Sequence, residues 1–472
     1  MTSWLLGAGV FVIHLAGVVS AVLALLSSRT SQGAVAWIIS LVTFPYAALP
    51  AYWVFGRPRF YGYVSSRGEH DSTLRRILAR YRPLIEPYLT EAANVRVQAV
   101  EKLAMMPLTG GNRASLLIDG QATFDSLFAG IEAARDYVLV QFFIIRRDRL
   151  GIALKDLLER KAGQGVRVYL LYDEIGCHSL DDGYLDDLSR AGVEVSAFNS
   201  SRGFRHRFQL NFRNHRKVTV VDGVLGWTGG LNVGVEYLGE DARHGPWRDT
   251  HLMLSGPSVL GLQEAFWEDW HWATGRVIDL EWKPRVTCDE CQHVVIVPSG
   301  PADGLETASL LMQHNIHGAQ QRLWITSPYF VPDQGVQDAL RLAALRGVDV
   351  RVMMPERPDH LLVFLSAFSF LPDMIRAGVK IYRYQPGFLH QKVMLIDDHS
   401  ATVGTVNLDN RSFRLNFEIT AFIPDHGFAA EVAVMLENDF AQCRGVTLEE
   451  LESRPLWRKL VSRAAYLLAP VQ

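Results

Sequence analysis

Six polar or glycine positions occur twice in this 472-residue chain, at one constant offset. The first set is His215, Lys217, Asp222, Gly229, Gly230 and Asn232. The second is His390, Lys392, Asp397, Gly404, Thr405 and Asn407, each member 175 residues further on. Chance rarely keeps such a register, so the two sets read as halves of one site. Two His, two Lys and two Asn converging on one point suit a phosphodiester. The lysines neutralise non-bridging oxygens, one imidazole attacks phosphorus, and the other protonates the leaving oxygen. Each Asn adds an amide donor, and the glycines let the backbone approach a ligand.

Strands must carry these residues. Phe212–Val221 and Phe388–Ile396 are rich in Val, Phe, Ile and Leu and read as buried strands. Residues i and i+2 then share a face, so each His projects with its Lys. Val221-Asp222-Gly223 and Ile396-Asp397-Asp398 read as hairpin turns. Asp222 and Asp397 therefore belong to the catalytic motif, but their place at a strand end suits them to hold the turn or neighbouring backbone.

The duplication extends around the motif. Tyr137–Ile145 has its counterpart in Arg322–Val331. The helical stretch Leu150–Ala162 leads into Gly165-Val166-Arg167-Val168, as Val336–Leu345 leads into Gly347-Val348-Asp349-Val350. Alternating helix and strand predicts an α/β fold with an α/β/α sandwich in each half. The halves should pack about a pseudo-twofold axis, motif strands facing across it. The expected divisions are an apolar N-terminal region (1–58), a juxtamembrane linker with an amphipathic segment (59–111), the two halves (112–285 and 286–445) and a basic amphipathic tail (446–472). Cys288–Pro301 reads as the crossover between halves.

The motif context resembles the phospholipase D superfamily. Phe212-Arg213-Asn214-His215-Arg216-Lys217, Gly229-Gly230-Leu231-Asn232 and Trp247-Arg248-Asp249 surround the first copy. Pro328-Tyr329-Phe330-Val331-Pro332, Gly387-Phe388-Leu389-His390 and Asn410-Arg411-Ser412-Phe413 surround the second. Together they resemble the bacterial cardiolipin synthases over almost the whole chain. Gly230 and Thr405 stand where the wider superfamily often has Ser, and they fit the synthase branch. The resemblance implies phosphatidyl transfer between two phosphatidylglycerol molecules, giving cardiolipin and glycerol through a phosphohistidine, with neither metal nor nucleotide. It implies His215 as nucleophile and His390 as acid/base, although the symmetry of the motifs leaves their order open. The alternative keeps the chemistry and uses water or another alcohol as acceptor. A membrane scaffold that binds anionic lipid without turnover would have no need for two intact motifs.

Composition agrees with this. The chain is 49% hydrophobic with a formal net charge of −3, which gives no support to a bulk nucleic-acid binder. Four scattered cysteines suggest no disulfide framework. Cys288 and Cys291 form a lone CxxC without the second pair a zinc site would want. Trp4–Leu26 and Ala34–Phe55 are each about long enough to span a bilayer, so two transmembrane helices are expected. Pro45 and Pro50 also allow the second a kinked or partly re-entrant course. The arginines that follow (57, 59, 67, 75, 76, 80 and 82) place the remainder in the cytoplasm by the positive-inside rule, with the amino terminus on the same side. The resemblance makes this the bacterial inner membrane. Asp71–Leu84 reads as a basic amphipathic helix, and so does Pro455–Leu468.

Two further groups concern the site. Val193 to His215 spans 22 residues, whereas Val379 to His390 spans 11. The extra stretch holds Arg202, Arg205, His206 and Arg207 and no acid, a patch suited to anionic phospholipid, with Arg205 and Arg207 as binding candidates. Glu418 lies 28 residues after His390, and Asp249 lies 34 after His215. A carboxylate on the far ring nitrogen would fix each tautomer. The aromatic run Phe266, Trp267, Trp270, Trp272 reads as core or a membrane-facing lip. Oligomeric state has no signature in the sequence.

Overall fold

The computed structural model describes residues 2–56, 60, 63, 83–90, 95–198, 211–286 and 292–469. The expected helix over Asp71–Leu84 (except Pro83 and Leu84), the arginines at 205 and 207, and the Cys288–Cys291 pair lie outside these residues.

One sheet runs through both halves. The first half contributes β1 (Thr109–Ile118), β2 (Tyr137–Phe142), β3 (Arg167–Asp173), β4 (Glu194–Phe198), β5 (Arg213–Asn214), β6 (Val218–Val221), β7 (Leu225–Gly229), β8 (Trp247–Arg248) and β9 (Thr250–Ser255). The second contributes β10 (Gln292–Ser299), β11 (Arg322–Thr326), β12 (Phe330–Val331), β13 (Asp349–Pro355), β14 (Lys380–Tyr384), β15 (Phe388–Leu389), β16 (Val393–Ile396), β17 (Ser400–Gly404), β18 (Leu408–Asp409), β19 (Asn416–Ile423) and β20 (Cys443–Gly445). Outward from the centre, the first half reads β1-β9-β7-β6-β2-β3-β4 and the second β10-β19-β17-β16-β11-β13-β14-β20. Strand for strand the order repeats, with β20 added at one edge. β1 and β10 pair antiparallel at the centre, Thr109 opposite Val294. Gln292–Ser299, expected within a crossover, is thus the strand that joins the halves. Val294, Val295, Ile296 and Val297 are all buried, which a connecting loop would not achieve.

The parallel strands are apolar on both faces because helices cover them. Val138, Leu139 and Val140 of β2 and Val350, Val352 and Met353 of β13 are fully buried. Arg149–Gly163 and Gln334–Leu345 each begin on an Asp N-cap, Asp148 and Asp333, whose side chains accept backbone N–H groups.

The motif hairpins differ from expectation in one respect. His215, Arg216 and Lys217 lie in a break between β5 and β6, and His390, Gln391 and Lys392 in a break between β15 and β16. Each short leading strand leaves its own half: β5 pairs parallel with β19, and β15 with β8.

Two expected divisions change. The linker is partly core: Phe60 and Tyr63 are buried, as are Val97, Val100 and Ala104 of the helix Val95–Ala104. Phe60 stacks on Phe212 at 5.1 Å. At the amino end, α1 (Thr2–Ser27) is a single apolar helix long enough to cross a membrane. The second apolar stretch is two helices, α2 (Ser31–Thr43) and α3 (Pro45–Phe55). Phe44 between them is non-helical, φ −140° and ψ 63°, because Pro45 brings no N–H and excludes the α conformation from the residue before it.

Candidate active site

Both histidines are held by the opposite half. The His215 N–H donates to Phe417 O (2.9 Å) and the His390 N–H to Arg248 O (2.8 Å). The ladder places one carboxylate beyond each of these residues. His215 Nδ1 lies 2.8 Å from Glu418 Oε2, and His390 Nδ1 lies 2.8 Å from Asp249 Oδ2. The orienting pairs therefore run between the copies, not within them as the sequence offsets suggested. With Nδ1–H given to a carboxylate, each ring keeps Nε2 for chemistry.

The lysines close the set. Lys217 Nζ donates to His215 O at 2.8 Å and sits 5.6 Å from the Phe143 ring centre, which also meets His215 edge-on. Lys392 Nζ donates to His390 O and lies 2.9 Å from His390 Nδ1. Burial shifts all four groups toward neutrality. It lowers Lys217 to about 7 and Lys392 to about 8, and each lysine depresses the other or its neighbouring imidazole. It lowers His215 to about 4 and carries His390 well below its ordinary value. Burial disfavours this much positive charge, which is the electrostatic setting a phosphodiester would relieve.

The two carboxylates are not equivalent. Burial alone would raise both. At Glu418 it is outweighed by His215 and Lys217, with the Thr405 hydroxyl adding to them, so its carboxyl stays below the ordinary value. Ser412 Oγ and Asn416 Nδ2 also donate to Glu418 Oε1, at 2.8 and 3.2 Å. At Asp249 burial prevails over Lys392 and the Thr250 N–H, and the carboxyl is raised. Part of the difference lies in the motif position where the copies diverge. Gly230 is forced by contact, because a Cβ there would fall 2.0 Å from Asp249 Oδ1. At Thr405 there is room for a hydroxyl, which accepts from Ile419 N–H at 2.9 Å.

Behind the site stand two acids not singled out in the sequence. Asp269 accepts from Arg216, Asn214, Gln141 and Tyr63 at 2.7–3.0 Å. Asp439 receives Arg248 through two bonds and Gln391 through one, all at 2.8 Å. Each therefore ties down the residue after a motif His, and each stands on a helix, Val259–Thr274 or His426–Phe440. Asp269 could have been found as one of two acids, with Glu268, inside the aromatic run Phe266–Trp270, whose rings are core.

The remaining candidates sit elsewhere. Asp222 accepts the backbone N–H groups of Arg135, Asp136 and Tyr137 at 2.8–2.9 Å, and Asp397 those of Gln320, Gln321 and Arg322 at 2.7–3.1 Å. Both have φ 53°, and both pin the start of the next strand, away from the imidazoles. This is the backbone-holding role that their place at a strand end suggests. Asn232 accepts from Ile144 N–H at 3.1 Å and donates to Tyr237 OH at 3.0 Å, which hold its amide in place. Asn407 is buried with Oδ1 unpartnered. Among the described residues, no three His, Cys, Asp or Glu side chains are arranged to hold a metal ion.

Duplicated α/β halves that share one site, with paired His and Lys between them, define a protein of phospholipase D-like fold. The solved phosphatidylserine synthase of Haemophilus influenzae Rd KW20 has this fold, with a TM-score of 0.61 at 16% identity over 80% of this chain and 100% of that one. The family model for the PLD-like domain of cardiolipin synthase matches residues 127–242 and 312–442. A cardiolipin synthase A of Pseudomonas putida is 50% identical over 97% of this chain and 96% of its own. One of Pseudomonas aeruginosa is 48% identical over 97% and 94%. The chain belongs to the cardiolipin synthase family.

Proposed function

We infer that this chain is the phosphatidyltransferase that joins two phosphatidylglycerol molecules into cardiolipin and releases glycerol. The observation that carries the reading is the crossed pair of dyads, His215–Glu418 and His390–Asp249, with a lysine beside each. His215 is the nucleophile. Its partner carboxylate, Glu418, is the one kept below its ordinary value, which favours the negative charge that raises the basicity of Nε2 and stabilises the cationic phosphohistidine. Nε2 attacks phosphorus, the P–O bond to glycerol breaks, and His390 gives its proton to the departing oxygen. The free enzyme keeps His390 neutral, and the bound phosphodiester anion supplies the field in which it holds that proton. The hydroxyl of a second phosphatidylglycerol then loses its proton to His390, and its oxygen displaces His215. Lys217 and Lys392 bind the non-bridging oxygens throughout. Asn232 and Asn407, with Arg205 and Arg207, complete the contacts to anionic lipid. No metal or nucleotide enters the balance, since one phosphodiester replaces another.

The N-terminal helices hold the protein in the bacterial inner membrane. The basic run after Phe55 puts the catalytic halves on the cytoplasmic side. Purified protein in detergent–phosphatidylglycerol vesicles, with chelator and without nucleotide, should yield cardiolipin and glycerol in equal amounts by mass spectrometry. Phosphatidic acid without cardiolipin would make water the acceptor and the protein a phospholipase D. Retained turnover in His215→Ala would remove the covalent route.

A further inference from the structure

The path of α1–α3 does not suit two membrane crossings. The link between α1 and α2 lies against the second catalytic half: Arg29 NH1 is 3.5 Å from Glu306 Oε1, and Glu306 is held from its other side by Arg414 at 3.1 Å. A polar recess lined by Ser27 and Arg29 on one side and Gly300, Asp303 and Glu306 on the other marks the same junction. The chain leaving α3 returns to this place, where Phe60 N–H donates to Pro301 O at 3.2 Å. The Ser27 end of α1, the start of α2 and the exit from α3 therefore share the face that carries the catalytic halves.

Between those points α2 and α3 reach only part-way along α1. At about 1.5 Å per residue, α1 is about 39 Å long, α2 about 20 Å and α3 about 16 Å, against a hydrocarbon core of about 30 Å. The turn at Phe44–Pro45 comes level with the middle of α1. A Cβ at Gly17 would fall 2.5 Å from Leu41 O and 3.1 Å from Pro45 Cβ, and the His14 and Tyr46 rings lie 5.5 Å apart. Ascending from that turn, α3 brings Tyr52 back beside Trp37 of α2, at 5.2 Å. The face these helices turn outward is apolar, as at Phe11, Leu15, Ile39 and Phe44, and its partner is the lipid bilayer.

We propose that α1 crosses the membrane once and that α2–α3 is a re-entrant helical hairpin, so that the Thr2 end of α1 and the catalytic halves lie on opposite faces. Charge supports this independently. Residues 1–28 contain no Lys or Arg, whereas Arg29 meets Glu306 on the catalytic face. A two-span hairpin would send Arg29 across.

The inference rests on the membrane anchoring proposed above and not on the reaction. The test uses the full chain with Cys177, Cys288, Cys291 and Cys443 replaced by Ser. Single cysteines are placed by Ser3→Cys, Ser31→Cys and, as catalytic-face reference, Ser189→Cys, and are probed with a membrane-impermeant maleimide. The expected result is that Ser31→Cys follows Ser189→Cys, shielded in intact spheroplasts and labelled on permeabilisation, while Ser3→Cys is labelled from outside. Ser31→Cys labelling opposite to Ser189→Cys would overturn the proposal, and so would all three labelling alike. If the cysteine-free chain does not fold, Arg29→Glu, Glu306→Arg and their double variant serve in the native background. Several-fold recovery of lost activity in the double variant supports contact on one face, and simple multiplication of the two losses rejects it. Phosphatidylglycerol turnover is scored separately, so a failed topology leaves the reaction standing.

Discussion

At the scale of single residues, the two dyads share a geometry and differ in how their carboxylates are held. Glu418 is kept below its ordinary value, so its stabilising charge is present at neutral pH and is lost only as pH falls through that lowered value. Asp249 is raised above its ordinary value by burial, so its ionised form opposes folding at neutral pH. Glu418→Gln and Asp249→Asn should therefore separate. Each is expected to lower kcat by about 10²- to 10⁴-fold, the range for a misplaced or mis-tautomerised general acid or base. Melting at pH 7 should show a lower Tm for Glu418→Gln and an unchanged or higher one for Asp249→Asn. Equal Tm losses would contradict the asymmetry traced to Gly230 and Thr405. The sequence made His215, Lys217, His390 and Lys392 legible because a rigid offset repeats them. It left the pairing of the carboxylates illegible, since the exchange of β5 and β15 between halves leaves no local pattern.

At the scale of elements, the motif aspartates do for the backbone what the lysines do for substrate. Each uses one carboxylate to gather three N–H groups at the start of β2 or β11, the strands against which β6 and β16 pair. Val221 accepts from Val224 N–H at 2.9 Å across Asp222 and Gly223, both at positive φ, the turn that a two-strand twist favours. Asp222→Ala should leave several donors short of a partner at about 1–3 kcal/mol for each one buried, and add strain at a left-handed position. The expected outcome is a markedly lower Tm with kcat and KM of the folded enzyme within a few-fold of wild type. A collapse of kcat in fully folded protein would return Asp222 to the chemistry. The strands and turns here were readable because period and turn residues are local signals. The breaks at residues 215–217 and 390–392 were not, because they exist only where each chain segment crosses to the other half.

Across the whole molecule, the route from membrane anchor to chemistry is short and was hidden in what reads as a linker. Pro-containing, mixed sequence over residues 59–111 gives no periodic signal, yet Phe60 and Tyr63 enter the core because both halves supply their surroundings. Phe60 packs on Phe212, Trp272 and Phe417, and Phe417 is the residue whose carbonyl holds the His215 N–H. Tyr63 OH donates to Asp269 at 2.8 Å, the same carboxylate that bonds Arg216 at 3.0 Å and Asn214 at 2.8 Å. Arg216 and Asp269 are almost fully buried, so neither charge tolerates losing its partner; breaking such a pair costs about 3–5 kcal/mol. Tyr63 is the neutral member of this hub and the gentlest place to test it. Tyr63→Phe keeps the ring against Phe417 and removes one hydrogen bond, at about 1 kcal/mol. If the anchor helps to position His215, this variant should lose several-fold in kcat while Tm moves by only a few degrees and KM for phosphatidylglycerol stays constant. Asp269→Asn, acting on the same network from its centre, should lose more of both activity and stability. A Tyr63→Phe enzyme with wild-type kcat would show that the membrane-proximal segment only fills space beside the site and that Arg216 is held by the catalytic halves alone.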